Sequence, residues 1–220
     1  MLNEKSYIRR TGNMEENTRY GCADCRAKAC LTGEGNYPPF CTEKNFPQEV
    51  LAEAMKEYKD PYIRKLTIAA AETESENYCR MTRLEETAEF ARKIGVKRLG
   101  LAHCVGLIEE AGIAARFFRK KGFEVVAISC KCAEQKKEDV GIPEACNNTG
   151  VNMCNPILQA KYLNHVQTDL NVLIGLCVGH DSLFYKYAEA PVTTLVSKDR
   201  VLAHNTAAAL YQADKYLKLL

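Results

Sequence analysis

The sequence predicts an α/β fold: a small parallel, Rossmann-like sheet with flanking helices, preceded by a helical segment and a small cysteine-rich N-terminal module. Three observations carry this. From Lys97 onward, short apolar runs alternate with amphipathic stretches, the pattern of strands joined by helical crossovers. Between Pro47 and Gly95 the apolar residues recur at helical spacing alone. Ahead of Pro47 the chain is polar and turn-rich and holds four cysteines, Cys22, Cys25, Cys30 and Cys41. The divisions therefore fall at 1–46, 47–96 and 97–220.

The helical segment opens with "FPQEVLAEAMKEY", where Val50, Leu51, Ala54, Met55 and Tyr58 form one stripe and Pro47 suits a first turn. A second helix is expected over Tyr62–Glu76. In "TRLEETAEFARKIG", Thr82 and Glu85 have the spacing of a capping box and Gly95 ends the helix. "KRLGLAHC" then reads as a strand, and the helix after it presents Leu107, Ile108, Ala111, Ala115 and Phe118 on one face before stopping at Gly122. "FEVVAISC" is the second strand. Past a polar stretch, "CNPILQAKYLNHV" is a helix with Asn155 as cap and Pro156 in its first turn. "NVLIGLC" and "PVTTLVS" supply two more strands. Between them lies a short helix, "DSLFYKYA", capped by Asp181, and "NTAAALYQADKYLKLL" reads as a terminal helix.

Composition narrows the function classes. A chain of 220 residues with 46% hydrophobic content can bury a core without staples. Thirty basic and 28 acidic residues are spread along it, giving a net charge of +2, and no basic tract suggests a nucleic-acid footprint. The opening "MLNEKSYIRRTGNMEENTRYG" lacks the apolar core of a signal peptide, and no run has the length of a membrane span. A cytoplasmic protein is expected, bound to neither nucleic acid nor membrane.

Eleven cysteines stand out. An odd number in a chain without an export signal favours reduced thiolates on metal over a disulfide framework. Cys79, in a helical region with no cysteine near it, reads as an ordinary core residue. Several others fall at strand exits: Cys104 ends the first strand, Cys130 and Cys132 the second, and Cys177 the third. In open α/β sheets, groups there face a common crevice. Cys154 joins them from just before a helix N-terminus, where the dipole favours a thiolate. Cys146, in the intervening loop, is within reach of the same place. Soft thiolates select zinc, copper(I) or iron–sulfur clusters, and four cysteines from separate strands suit a [4Fe–4S] cluster. The N-terminal group, C-x2-C-x4-C-x10-C, fits tetrahedral zinc or a second cluster. Thr42 follows Cys41 where ferredoxin-type motifs often have proline, which argues against a ferredoxin-like module.

The remaining motifs say less. His165 and His204 read as surface or hydrogen-bonded residues, whereas His103 and His180 flank strand ends and are candidates for moving protons. "SKDR", Ser197–Arg200, reads as a solvated turn or an anion contact. There is no G-x-G-x-x-G, phosphate loop or G-x-S-x-G, so nucleotide binding and serine hydrolysis lack support.

"AHCVGL", "CNPILQA", "GLCVGHDSLF", "APVTTLVSKDR" and the leading "CADC" resemble a family of uncharacterised cysteine-rich proteins of anaerobic bacteria and archaea, a domain-of-unknown-function group to which metal binding is ascribed. The resemblance covers nearly the whole chain. It implies metal binding through Cys22, Cys25, Cys104, Cys154 and Cys177 but supplies no reaction or substrate. The expectation is an iron–sulfur protein in electron transfer or reductive chemistry, with a redox partner protein or a small-molecule substrate. The alternatives are a zinc or other soft-metal carrier or sensor, and a metal-free thiol redox enzyme.

Overall fold

The computed structural model describes residues 21–219, so the polar stretch read as lacking a signal peptide lies outside them, apart from Gly21. The chain divides into two compact units, one ending at Arg64 and one beginning at Lys65. This division falls within the stretch expected to form a single helical segment.

The first unit is mostly loop. Short 3-10 turns cover Cys22–Asp24 and Ala29–Leu31, and two helices follow, α1 (Thr42–Asn45) and α2 (Gln48–Glu57). Pro47 sits just ahead of α2, where its fixed φ and missing N–H cost nothing. Tyr37 donates to the Ala29 carbonyl at 3.4 Å, and Asn45 Nδ2 donates to the Cys41 carbonyl at 2.7 Å. Helix α3 (Pro61–Glu76) begins in this unit and ends in the second.

The second unit is a four-stranded parallel sheet covered by helices, as expected. Its elements in chain order are α4 (Arg83–Ile94), β1 (Arg98–His103), α5 (Ile108–Lys120), β2 (Glu124–Ser129), α6 (Pro156–His165), β3 (Leu170–Ile174), α7 (His180–Tyr187), β4 (Val192–Val196) and α8 (Thr206–Tyr211). The sheet order is β2-β1-β3-β4, all parallel. The expected caps are present at α4 and α6. Thr82 and Glu85 form a reciprocal capping box, Gly95 closes α4 with φ +78°, and Asn155 Oδ1 accepts the Leu158 N–H at 2.9 Å.

Two ends differ from the sequence expectation. Helix α7 starts from Gly179, and Asp181 lies inside its first turn, accepting from the N–H groups of Gly179 and Ser182. The terminal helix spans only Thr206–Tyr211, and its large apolar residues Leu210 and Tyr211 are exposed. An amphipathic pattern with no surface to bury against does not propagate far.

All five residues of β3 are buried, and Leu99, Leu101, Val172, Leu173 and Ile174 share one core with Phe118 of α5, Leu163 of α6 and Phe184 of α7. Both central strands are apolar runs because helices cover both sheet faces. One polar residue interrupts them. Asn171 of β3 is fully buried beside its register partner Gly100, and its Oδ1 accepts from Thr168 Oγ1 at 2.8 Å.

A Cβ on Gly100 would lie 2.2 Å from Asn171 Oδ1 and 2.9 Å from Leu163 Cδ1. Gly100→Ala is therefore expected to destabilise the fold by about 1–3 kcal/mol, the usual cost of overpacking. Thermal denaturation checks this; an unchanged Tm would show that the Asn171 side chain yields freely.

Candidate functional site

The strand order places a topological switch point at the centre of the sheet. From β1 the chain leads through α5 to β2 on one side; from β3 it leads through α7 to β4 on the other. The connections leaving these two neighbouring strands diverge, and it is beyond the carboxyl ends of such strands that open α/β sheets form their binding crevice. Cys104 follows β1 and Cys177 lies three residues past the end of β3. The Cys104 N–H pairs with the Ile174 carbonyl at 3.1 Å, so the two exits are held side by side.

Cys130 follows β2, and its N–H donates to the His103 carbonyl at 2.9 Å. Cys154 precedes α6, and the next residue, Asn155, donates its N–H to the Cys130 carbonyl at 2.8 Å. These backbone bonds bring Cys104, Cys130 and Cys154 together. Cys130 is the middle member, hydrogen-bonded side chain to side chain with both of the others.

Three of the four thiols carry a basic side chain of their own. Lys198 Nζ lies 3.3 Å from Cys104 Sγ, Arg200 Nη2 lies 2.9 Å from Cys177 Sγ, and His180 hydrogen-bonds Cys154. Cys130 instead receives the Val105 N–H at 3.4 Å, and Cys104 also receives that of Gly106 at 3.4 Å.

Protonation divides accordingly. The hydrogen bond from Cys130 holds Cys104 down at about 5 against the effect of burial, with help from the Gly106 N–H and Lys198. Cys154 is held at about 4, first by Cys130, then by His180, with the Lys131 charge adding. Cys130 is pushed far up, because its proton serves Cys104 and Cys154 and because it is buried. A single S–H serves one acceptor at a time, so the other thiolate then leans on its own donor. The hydrogen bond to Cys154 raises His180, and the bond to Cys177 raises Arg200.

Other expected site residues fall elsewhere. Cys132 is exposed and outside the thiol group: β2 ends at Ser129 and the chain turns, with the Cys132 N–H on the Ser129 carbonyl at 3.2 Å. Cys146 is also exposed, in the loop before α6, where the buried Lys137 ammonium donates to its carbonyl. Cys79 is exposed in the turn before α4, with φ +56°, rather than in a helix and the core. His103 is buried, its Nδ1 against the Cys104 carbonyl at 3.0 Å, which fits packing better than proton transfer.

In the first unit, Cys22 Sγ donates to Thr42 Oγ1 at 3.2 Å, which draws the start of the loop to the residue after Cys41. Cys41 is buried at the head of α1, Cys25 is half-buried, and Cys22 and Cys30 are exposed. Among the described residues, no group of three or more Cys, His, Asp or Glu side chains is arranged to hold a metal ion, in either unit. In the second unit Cys130 is paired with Cys104 and Cys154, while Cys177 is bonded to Arg200 instead.

Lys198 and Arg200 are the site residues that sequence reasoning left undecided between a solvated turn and an anion contact. Only their place two and four residues past a strand end pointed toward that edge of the sheet. No helix among the described residues is long and apolar enough to cross a membrane.

Comparison with known proteins places this chain in a family. An uncharacterised protein of the archaeon Methanocaldococcus jannaschii is 40% identical over 199 residues, which cover 90% of this chain and 97% of that protein. The family model described as a protein of unknown function, DUF1847, matches residues 41–195, a span running from the last N-terminal cysteine through β4 almost to its end. The chain belongs to the DUF1847 family of proteins of unknown function.

Proposed function

We propose that the crevice at the carboxyl edge of the sheet binds a soft metal through Cys104, Cys130, Cys154 and Cys177, with an iron–sulfur cluster as its form. The protein would then act in electron transfer or reductive chemistry in a reducing, anaerobic cytoplasm. One observation carries the reading: thiols as many as 50 residues apart in the chain, Cys104 and Cys154, converge through Cys130 at the switch point.

The donor chemistry fits such a group. The converging donors are sulfur, and Lys198, Arg200 and His180 offset the negative charge that several thiolates bring together. N–H groups aimed at sulfur, such as those of Val105 and Gly106, raise the potential of a bound cluster. When bound, the cluster supplies one-electron chemistry, and a small substrate or redox partner would reach it through the crevice. Cys22, Cys25, Cys30 and Cys41 would hold zinc or a second cluster.

Metal and acid-labile sulfide analysis of anaerobically purified protein, beside Cys104→Ser/Cys154→Ser, tests the reading. Iron with matching sulfide is expected in the wild type, and the double variant should lose the share bound in the second unit. Zinc without sulfide would move the function to a carrier or sensor. No metal in the second unit, even after reconstitution, would overturn it.

The division of protonation favours a second reading, a metal-free thiol redox site in which a thiolate at Cys154 lies beside the protonated Cys130. Its folded pKa is lowered, so the thiolate persists at neutral pH and disappears only as pH falls through about 4. In metal-free, reduced protein, alkylation of Cys154 should therefore be flat from neutral pH to about pH 5 and fall about tenfold per unit at lower pH. Mass spectrometry of alkylated peptides measures this. A rate already falling below about pH 8.5, as for a free thiol, would contradict the division.

A further inference from the structure

The loop between β4 and α8 carries both of the long basic side chains that reach the thiols, Lys198 to Cys104 and Arg200 to Cys177. It is fastened at its base by a reciprocal pair of bonds. The His204 N–H donates to the Asp199 carbonyl at 2.8 Å, and the Asp199 N–H donates to His204 Nδ1 at 3.1 Å. Asp199 Oδ1 meanwhile accepts the N–H groups of Val201 and Leu202, both at 2.9 Å.

This closure requires unusual backbone. Ala203 and His204 are both left-handed, with φ of +48° and +66°. Two consecutive non-glycine residues in that region are costly and persist only where their surroundings hold them. Here the holding contacts are the two His204–Asp199 bonds. Asp199 lies between Lys198 and Arg200, so the bonds that close the loop also fix the point from which both cations reach sulfur.

We propose that His204 and Asp199 are positioning residues of the thiol site: they clasp the 198–204 loop so that Lys198 and Arg200 are presented to Cys104 and Cys177. This deepens the metal reading, since it rests on those thiols carrying the function, yet it concerns a property of the metal-free chain. His204 acts as an acceptor through Nδ1, so its proton sits on Nε2, on the side of the imidazole away from Asp199.

The roles separate by substitution. Asparagine tolerates the left-handed region and offers an oxygen near the place of Nδ1, whereas alanine offers no acceptor. The measurement is the alkylation rate of Cys104 and of Cys177 by iodoacetamide, on reduced, metal-free full-length protein at one neutral pH, read by peptide mass spectrometry. Lys198→Met/Arg200→Met sets the scale. His204→Ala should reproduce the rates of that double variant, with a change of about twofold or more from wild type, and His204→Asn should keep wild-type rates.

Asp199→Ala keeps the backbone groups that bond His204 but removes the Oδ1 acceptor that gathers the Val201 and Leu202 N–H groups, the second fastening of the loop, and should move the rates in the same direction as His204→Ala; circular dichroism confirms that each variant is folded. Wild-type rates in His204→Ala and Asp199→Ala would overturn the proposal, as would a Lys198→Met/Arg200→Met variant indistinguishable from wild type. Failure of His204→Asn to restore the rates would also count against it. A chain that takes up no metal but shows this pattern keeps the clasp and loses the metal reading; one that takes up metal without the pattern does the reverse.

Discussion

The thiol site depends on one buried amide. Gln159, fully enclosed in the middle of α6, donates through Nε2 to the His103 carbonyl at 3.1 Å and to the Ile128 carbonyl at 2.8 Å. These carbonyls stand at the ends of β1 and β2, immediately ahead of Cys104 and two residues ahead of Cys130. The helix that carries Gln159 begins just after Cys154. A single side chain thus ties together the three backbone segments whose thiols touch.

Around that anchor the parallel sheet supplies the rest. Parallel strands place all their exits on one edge, and the divergence of chain after β1 and β3 leaves that edge open at its centre. The chemistry gathered there is sulfur surrounded by positive charge. Each flanking thiolate has a cation or imidazole of its own, while the middle thiol keeps its proton, so the group avoids crowding like charges in a half-buried place. The same features suit a soft metal and a thiol redox pair, and metal stoichiometry is what separates the two.

Much of this was legible in the sequence, for local reasons. Alternating apolar runs and amphipathic stretches specify strands and helices by period, and Thr82, Glu85, Asn155, Pro156 and Gly95 mark helix ends through bonds to residues close in sequence. Cysteines at strand exits imply convergence as soon as the sheet is parallel. The partners of those cysteines were not legible. Lys198 lies 94 residues from Cys104, and Gln159 acts on carbonyls of two different strands, so no spacing announces either. Cys130 and Cys132 would share a side in extended chain, and only the turn after Ser129 sends Cys132 into solvent. His204 looked like a surface histidine because its acceptor role depends on a left-handed backbone that the sequence does not advertise.

The most direct test of the central claim is an anomalous-scattering map, collected at the iron edge, from crystals of the anaerobically purified protein grown without oxygen. Iron density is expected beyond the carboxyl ends of β1 and β3, bounded by Cys104, Cys130, Cys154 and Cys177. Iron confined to the N-terminal cysteines, with none beside Cys104, Cys130, Cys154 and Cys177, would contradict it.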